Sequence, residues 1–220
     1  MAEDWFRKTT WSEADQADFF AHLKRSRSVY NKAQYLRIQA GHLEGVGTEE
    51  SLKAALFLLE KIFAEFTSQT ELASAFKQKA SCMAKLGDID GAIANYRRAL
   101  QTEQEFPKVK THAFIEFGKL VAEKKLADLY DEALTALEAE LNSRGIQFPS
   151  DTFNAFGIRS LIAVERGQLQ KAKEFAQVAL GAAANVHSGL RYHPTVGLVR
   201  DKEAPFYKAI QAIAQNCFFS

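Results

Sequence analysis

A chain of 220 residues, 47% apolar and 25% charged, holds enough apolar side chains to build a sizeable core in one or two domains. Its formal net charge of +1 gives no overall field that would gather nucleic acid or an anionic membrane surface. The apolar stretches are far too short to span a bilayer, and the opening MAEDWFRKTTW lacks the basic-then-apolar pattern of a secretion signal. With only Cys82 and Cys217 there is no paired disulfide framework, so the expectation is reduced thiols and a cytoplasmic setting.

Taken in chain order, the first thirty residues hold both tryptophans, in WFRKTTW, and then a helix start at Ser12-Glu13-Ala14-Asp15. The helix that follows presents Phe19, Phe20 and Leu23 on one side. Trp5, Phe6 and Trp11 are expected to cover the exposed face of a terminal repeat, with a tryptophan-rich docking arm as the functional alternative. From Ala33 onward apolar residues recur every three or four positions, as in Phe76, Ala80, Met83 and Leu86, which is the helical period; no convincing alternating strand pattern appears. The runs Ala33–Leu43, Glu71–Leu86, Thr111–Leu126 and Asp151–Glu165 each precede a second helical run, at Glu49–Phe63, Lys85–Leu100, Lys125–Leu141 and Glu165–Leu180.

The second runs resemble one another. Ala55, Ala92, Ala133 and Ala172 occupy matching places, spaced 37, 41 and 39 residues apart. Gly87-Asp88 and Gly167-Gln168 fall where the chain must leave one helix and turn, a role suited to a residue that tolerates left-handed backbone. In the third copy Asp128 stands at the glycine's place. Pro107 and Pro149 fall between units, with Asp151 or Thr152 available to cap the following helix. After the repeats, SGLRYHPTVGLV (residues 188–199) breaks the helical pattern through Gly189, Pro194 and Gly197. A last amphipathic helix carries Phe206, Ile210, Ile213 and Phe218 on one side.

The series Phe76, Ala80, Met83, Leu86, Gly87, Ala92, Tyr96, Ala99, Leu100 resembles a tetratricopeptide repeat, as do Phe156, Leu169, Ala172, Ala179, Leu180 and, more faintly, Phe117, Tyr130, Ala133, Leu137. The units here are longer than that family's roughly 34 residues, and Val121 replaces its small first-helix residue in the third copy. The resemblance implies an all-α, right-handed solenoid of about four helical hairpins over residues 31–184. A cap at 1–30 and a connector plus capping helix at 185–220 complete a single domain of about ten helices and no sheet. The whole chain also resembles a set of bacterial cytoplasmic repeat proteins with a WFRxTTW start, a YLRIQA segment and an SGLRYHP tail, which implies coherence of the chain and no particular activity.

Carried onto this chain, the family's groove positions are Lys77, Gln78, Ser81 and Lys85, then Gly118, Lys119 and Asn154, with Arg37 from the first pair. This mildly basic set lacks the full arrangement by which some relatives hold a C-terminal carboxylate. Arg191, Tyr192 and His193, with His187 nearby, form the one cluster that invites a chemical role. No nucleophile motif, glycine-rich phosphate loop or metal-ligand spacing accompanies it, so packing or partner recognition is expected rather than catalysis, and no cofactor or metal. As a connector, the segment would pack Leu190, Tyr192 and Val196 on the last repeat, with Arg191 on helix-end carbonyls or a carboxylate. Cys82, beside Met83 in an apolar run, is expected to be an inert buried thiol.

Charge is segregated. Lys24, Arg25, Arg27, Lys32 and Arg37 lie in a span free of acids, and Asp128, Asp131, Glu132, Glu138 and Glu140 in a span free of Lys and Arg. Such runs are solvated faces or a means of steering a charged partner. The leading expectation is a non-enzymatic protein-binding module or adaptor that takes a peptide or domain in the groove, with no nucleic acid and no membrane, a monomer being favoured. The alternative is an immunity protein that neutralises a bacterial toxin by direct binding.

Overall fold

A computed structural model of the chain describes residues 4–144 and 148–215. Among them it is all-helical, with ten α-helices and no strand: α1 Glu13–Arg25, α2 Val29–Val46, α3 Glu49–Glu65, α4 Gln69–Lys85, α5 Ile89–Glu105, α6 Ala113–Glu123, α7 Tyr130–Arg144, α8 Pro149–Glu165, α9 Leu169–Ala183 and α10 Pro205–Gln215, with a 3-10 turn at Ala127–Leu129. None of the described helices is long and apolar enough to cross a membrane. Phe218 and Cys217 lie outside the described residues. The chain divides into two compact units, with the boundary between Ala113 and Phe114.

Consecutive helices pack in pairs, α2 on α3 and α4 on α5 in the first unit and α8 on α9 in the second. Close approach is possible because the residues at the contacts are small. Ala55, Ala92 and Ala172, one in each of these pairs, have no exposed surface, and Ala133 of α7 is buried as fully. Ser160 of α8 is equally buried and donates its hydroxyl to the carbonyl of Ala172 on α9 at 2.8 Å, which leaves no buried donor unmatched there.

The turns that follow α4 and α8 share one hydrogen-bond pattern. At the end of α4, Gly87 (φ 87°) donates its N–H to the Ala84 carbonyl and Asp88 donates to Met83; at the end of α8, Gly167 (φ 69°) donates to Val164 and Gln168 to Ala163. Each closes the last turn through a left-handed residue. The third copy forms the same turn with a different residue from the one expected. Lys125 (φ 54°) takes the left-handed position, donating to Ala122, while Leu126 donates to Val121. Asp128 instead falls in the 3-10 turn that absorbs the extra length of this copy. At α8 the helix begins with Pro149 in its first turn, and Asp151 reaches back to accept the Phe148 N–H at 3.2 Å.

The N-terminal segment caps the first unit. Trp5, Phe6 and Trp11 pack against a buried cluster that includes Phe19, Leu23, Leu36, Leu43, Leu58 and Ile62. Gln39, with no exposed surface, holds the segment in place: its Oε1 accepts the Lys8 N–H at 3.0 Å and its Nε2 donates to the Lys8 carbonyl at 2.7 Å. The Lys8 ammonium in turn meets Asp15 at 3.3 Å and Asp18 at 2.7 Å.

Asp15 concentrates these contacts. It accepts hydrogen bonds from the Ser12 hydroxyl (2.8 Å), the Ser12 N–H (3.0 Å) and the Thr10 hydroxyl (2.9 Å). The Ser12 and Thr10 hydroxyls lead in holding its carboxyl down at about 2, against an ordinary value of 3.8. Because the folded value is depressed, the stabilisation is complete above about pH 4 and is lost as pH falls toward 2. Asp15→Asn should therefore cost about 1–2 kcal/mol at pH 7, a figure reduced from the full linkage energy because the site is partly solvated. Urea unfolding at pH 7 and pH 2.5 checks this: the difference between variant and parent should shrink at the lower pH, and an equal difference at both contradicts it.

Candidate recognition surface

The expected groove residues of the first unit lie on the first helices of adjacent pairs, α2 and α4, and their side chains are largely occupied with one another. Arg37 of α2 pairs through Nε with the buried Glu71 of α4 at 2.5 Å. Ser81 donates its hydroxyl to Glu44 at 2.6 Å, and the Lys85 ammonium reaches the same Glu44 oxygen at 2.8 Å. Lys77 donates to the Thr111 carbonyl at 3.1 Å. The Gln78 amide lies against Gly41, whose missing side chain makes the room. This face is thus a seam joining α2 to α4, with Glu44 the partner that motif reasoning did not single out.

In the second unit, Lys119 of α6 places its ammonium 4.7 Å from the centre of the Phe206 ring, a cation–π contact. Gly118 faces Ile158, where an added Cβ would come within 3.0 Å, so this groove position serves packing between α6 and α8. Asn154 is half-buried on α8. The acidic run is met by arginines in and just after α8: Arg166 lies 2.7 Å from Asp131 and Arg159 lies 3.5 Å from Glu138.

The segment from Val186 to Lys202 behaves differently. Ser188 closes residues 188–194 into a compact loop: its N–H donates to the Pro194 carbonyl at 2.8 Å, and its hydroxyl donates to the His193 carbonyl at 2.7 Å while accepting the Leu190 N–H at 3.1 Å. Gly189 (φ 89°) makes the turn, with its N–H on His187 Nδ1 at 3.0 Å. Downstream, Gly197 (φ 68°) anchors the segment to the start of α8. Its carbonyl accepts the Ser150 N–H at 2.8 Å, and a Cβ here would fall 2.3 Å from Phe148. Arg200 holds the Thr195 carbonyl and hydroxyl at 3.2 and 3.3 Å.

The loop is therefore tied down, but not by the side chains expected to do it. Tyr192 is 79% exposed, Leu190 42% and Val196 43%, so they do not pack on the last repeat. Arg191 sits over the ring of its neighbour Tyr192, 5.4 Å from the centroid, rather than on helix-end carbonyls or a carboxylate. The Ser188 hydroxyl, backbone hydrogen bonds and two left-handed glycines hold the segment, which frees its large side chains for solvent.

What results is a local surface of mixed character. Val186, Leu190, Tyr192 and Val196 supply exposed apolar area, and Arg191, Arg200 and Lys202 supply positive charge. Asp201 is the sole acid between residues 186 and 202, and its carboxylate caps the backbone N–H groups of Glu203 and Ala204, each at 3.0 Å. A cavity of about 530 Å³ opens beside the loop, between Ala183–Val186, where the chain leaves α9, and the residues Thr195, Leu198, Arg200 and Lys202.

Elsewhere the chemistry is quiet. Burial pushes the Cys82 thiol up to about 12, so it is protonated and unreactive at neutral pH. Among the described residues no group of three or more His, Cys, Asp or Glu side chains is placed to hold a metal ion. Family models, curated proteins and solved structures were each compared with the chain, and none matches.

Proposed function

We propose that the protein is a non-enzymatic protein-binding module that meets its partner at the loop Ser188–Pro194 and the adjoining cavity. Within this reading the paired helices are tetratricopeptide-like hairpins, about four of them in a right-handed solenoid, and the chain works in a bacterial cytoplasm as an adaptor. The observation that carries the reading is a tyrosine 79% exposed on a loop held shut by Ser188. An aromatic beside an arginine on a preorganised loop is the composition of an interface anchor, since little conformational freedom is lost on docking. Clustered positive charge with no free acid favours a partner segment that is acidic and carries an apolar side chain. The α2–α4 face supports docking less well, because its cations already meet Glu44, Glu71 and the Thr111 carbonyl.

Affinity capture from the source organism tests this. The protein retained by the parent should fall at least about tenfold with Tyr192→Ser combined with Arg191→Ser, as expected for loss of anchor residues. Stability should stay within about 0.5 kcal/mol, because the removed side chains are exposed. Lys77→Glu combined with Lys119→Glu should retain the partner. The reverse pattern, retention by the loop variant and loss by the lysine variant, would move docking to the groove positions. A captured toxin domain whose activity is blocked would specify the inhibitor reading; a regulatory or secretion component would specify the adaptor.

A further inference from the structure

The second unit contains another pocket, separate from the loop, of about 660 Å³. Its walls come from the last turns of α6 and α8 and the first turns of α10, with Ala122, Leu161, Val164, Phe206 and Ala209 supplying the apolar lining. That volume lies within the roughly 300–1,000 Å³ of small-molecule sites, which combine an apolar wall with a few fixed polar groups.

The walls are held by close packing and by the turn after α6. Gly118 packs on Ile158, and Gly157 lets the Phe206 ring approach α8 so closely that a Cβ there would lie 2.8 Å from it. The corner at Lys125 is fixed by the hydrogen-bonded turn that places this lysine in the left-handed region. A non-glycine residue there is a strained feature, and such features recur at ligand sites.

Charge at the lining does not balance. Glu123, Lys125 and Glu165 all border the pocket. The Lys125 ammonium lies 2.9 Å from Glu165, so those two cancel. Glu123 has no hydrogen-bond or ion-pair partner among the described residues. Lys119, one turn earlier, places its ammonium over the Phe206 ring and, like Lys124, acts on Glu123 only as a charge without a direct contact. Partial desolvation leads in holding the Glu123 carboxyl above its ordinary range, with the Lys119 and Lys124 charges opposing it, while the residue keeps an exposed edge at the pocket rim.

We propose that this pocket binds a small apolar molecule carrying one protonated amine, with its ring or chain against Leu161, Val164 and Phe206 and its ammonium on Glu123. The site is independent of the partner-binding loop, so either reading can fail alone. An anionic ligand would meet a carboxylate that makes no direct ion pair, and a purely apolar one would leave that carboxylate unused at the rim.

The test uses the full chain with labelled methyl groups, followed by NMR, and two matched probes: 2-naphthylmethylamine and 2-naphthoic acid. The amine should give saturable shifts at the Leu161 and Val164 methyls and bind at least about tenfold more tightly than the acid. Glu123→Gln should remove about that tenfold preference while the melting curve stays unchanged. Ala209→Trp, which fills the pocket, should abolish the shifts. Should Ala209→Trp fail to fold, Glu123→Gln decides the matter alone, since Glu123 lies in an exposed position of the last turn of α6. Equal binding of acid and amine, an amine affinity unmoved by Glu123→Gln, shifts confined to other regions, or no saturable shift with either probe would overturn the assignment.

Discussion

Phe19→Ala should lower stability by about 3–5 kcal/mol, the cost of emptying a fully buried aromatic site. Phe19 lies with its ring 5.3 Å from Trp5, 5.4 Å from Trp11 and 5.4 Å from Phe20, so its removal takes the centre out of the N-terminal aromatic cap. Neighbouring rings add to the loss beyond buried area alone, Trp11 and Phe20 through edge-to-face contacts. Both tryptophans of the chain sit in this cap, which makes their fluorescence a local reporter. The emission should shift to the red in the native state of the variant, as Trp5 and Trp11 meet more water. A loss below about 1 kcal/mol with unchanged emission would mean that the cap does not rest on Phe19.

Gly157→Leu should cost about 3 kcal/mol, although leucine is the better helix former by close to 1 kcal/mol. The glycine lies mid-way along α8, where its Cβ would come 2.8 and 2.9 Å from two Phe206 ring atoms and 3.3 Å from Ile210. The ring is held on two sides: it packs edge-on to Phe153 at 5.6 Å and carries the Lys119 ammonium on its face. The strain should therefore fall on the seating of α10. Amide exchange in residues 205–215 should accelerate far more than in α4 or α5; equal protection of α10 in parent and variant would contradict this packing.

These residues also show which parts of the molecule were readable before any coordinates. The helical period and the matching alanines could be read directly, because a close helix contact admits only small side chains and so leaves a sequence trace at Ala92 and Ala172. Gly87 and Gly167 were readable for the same kind of reason, since left-handed backbone favours one residue type. Lys125 was not, because a lysine forced into that conformation by its surroundings carries no local mark, and the expectation fell three residues on, at Asp128. Gln39 interrupts an apolar stripe between Leu36 and Leu43, a signal of a buried polar role, but its partner is the backbone of Lys8, thirty-one residues away.

The candidate site was legible in part. Arg191, Tyr192 and His193 stood out as a cluster, yet whether they face inward or outward depends on Ser188 and the two glycines, which non-periodic sequence does not reveal. The groove set was chosen by repeat position, and repeat position cannot show that Glu44, distant in sequence, already occupies Ser81 and Lys85. Pairing across 37 and 41 residues is a property of the packed state.

The central claim is that a partner is recognised through the exposed side chains of the 188–194 loop. Amide hydrogen exchange of the full chain, free and with the captured partner bound, tests it most directly. Protection should appear in residues 186–202 and leave the α2–α4 face as it was. Protection confined to α2 and α4, with the loop exchanging as in the free protein, would contradict the account.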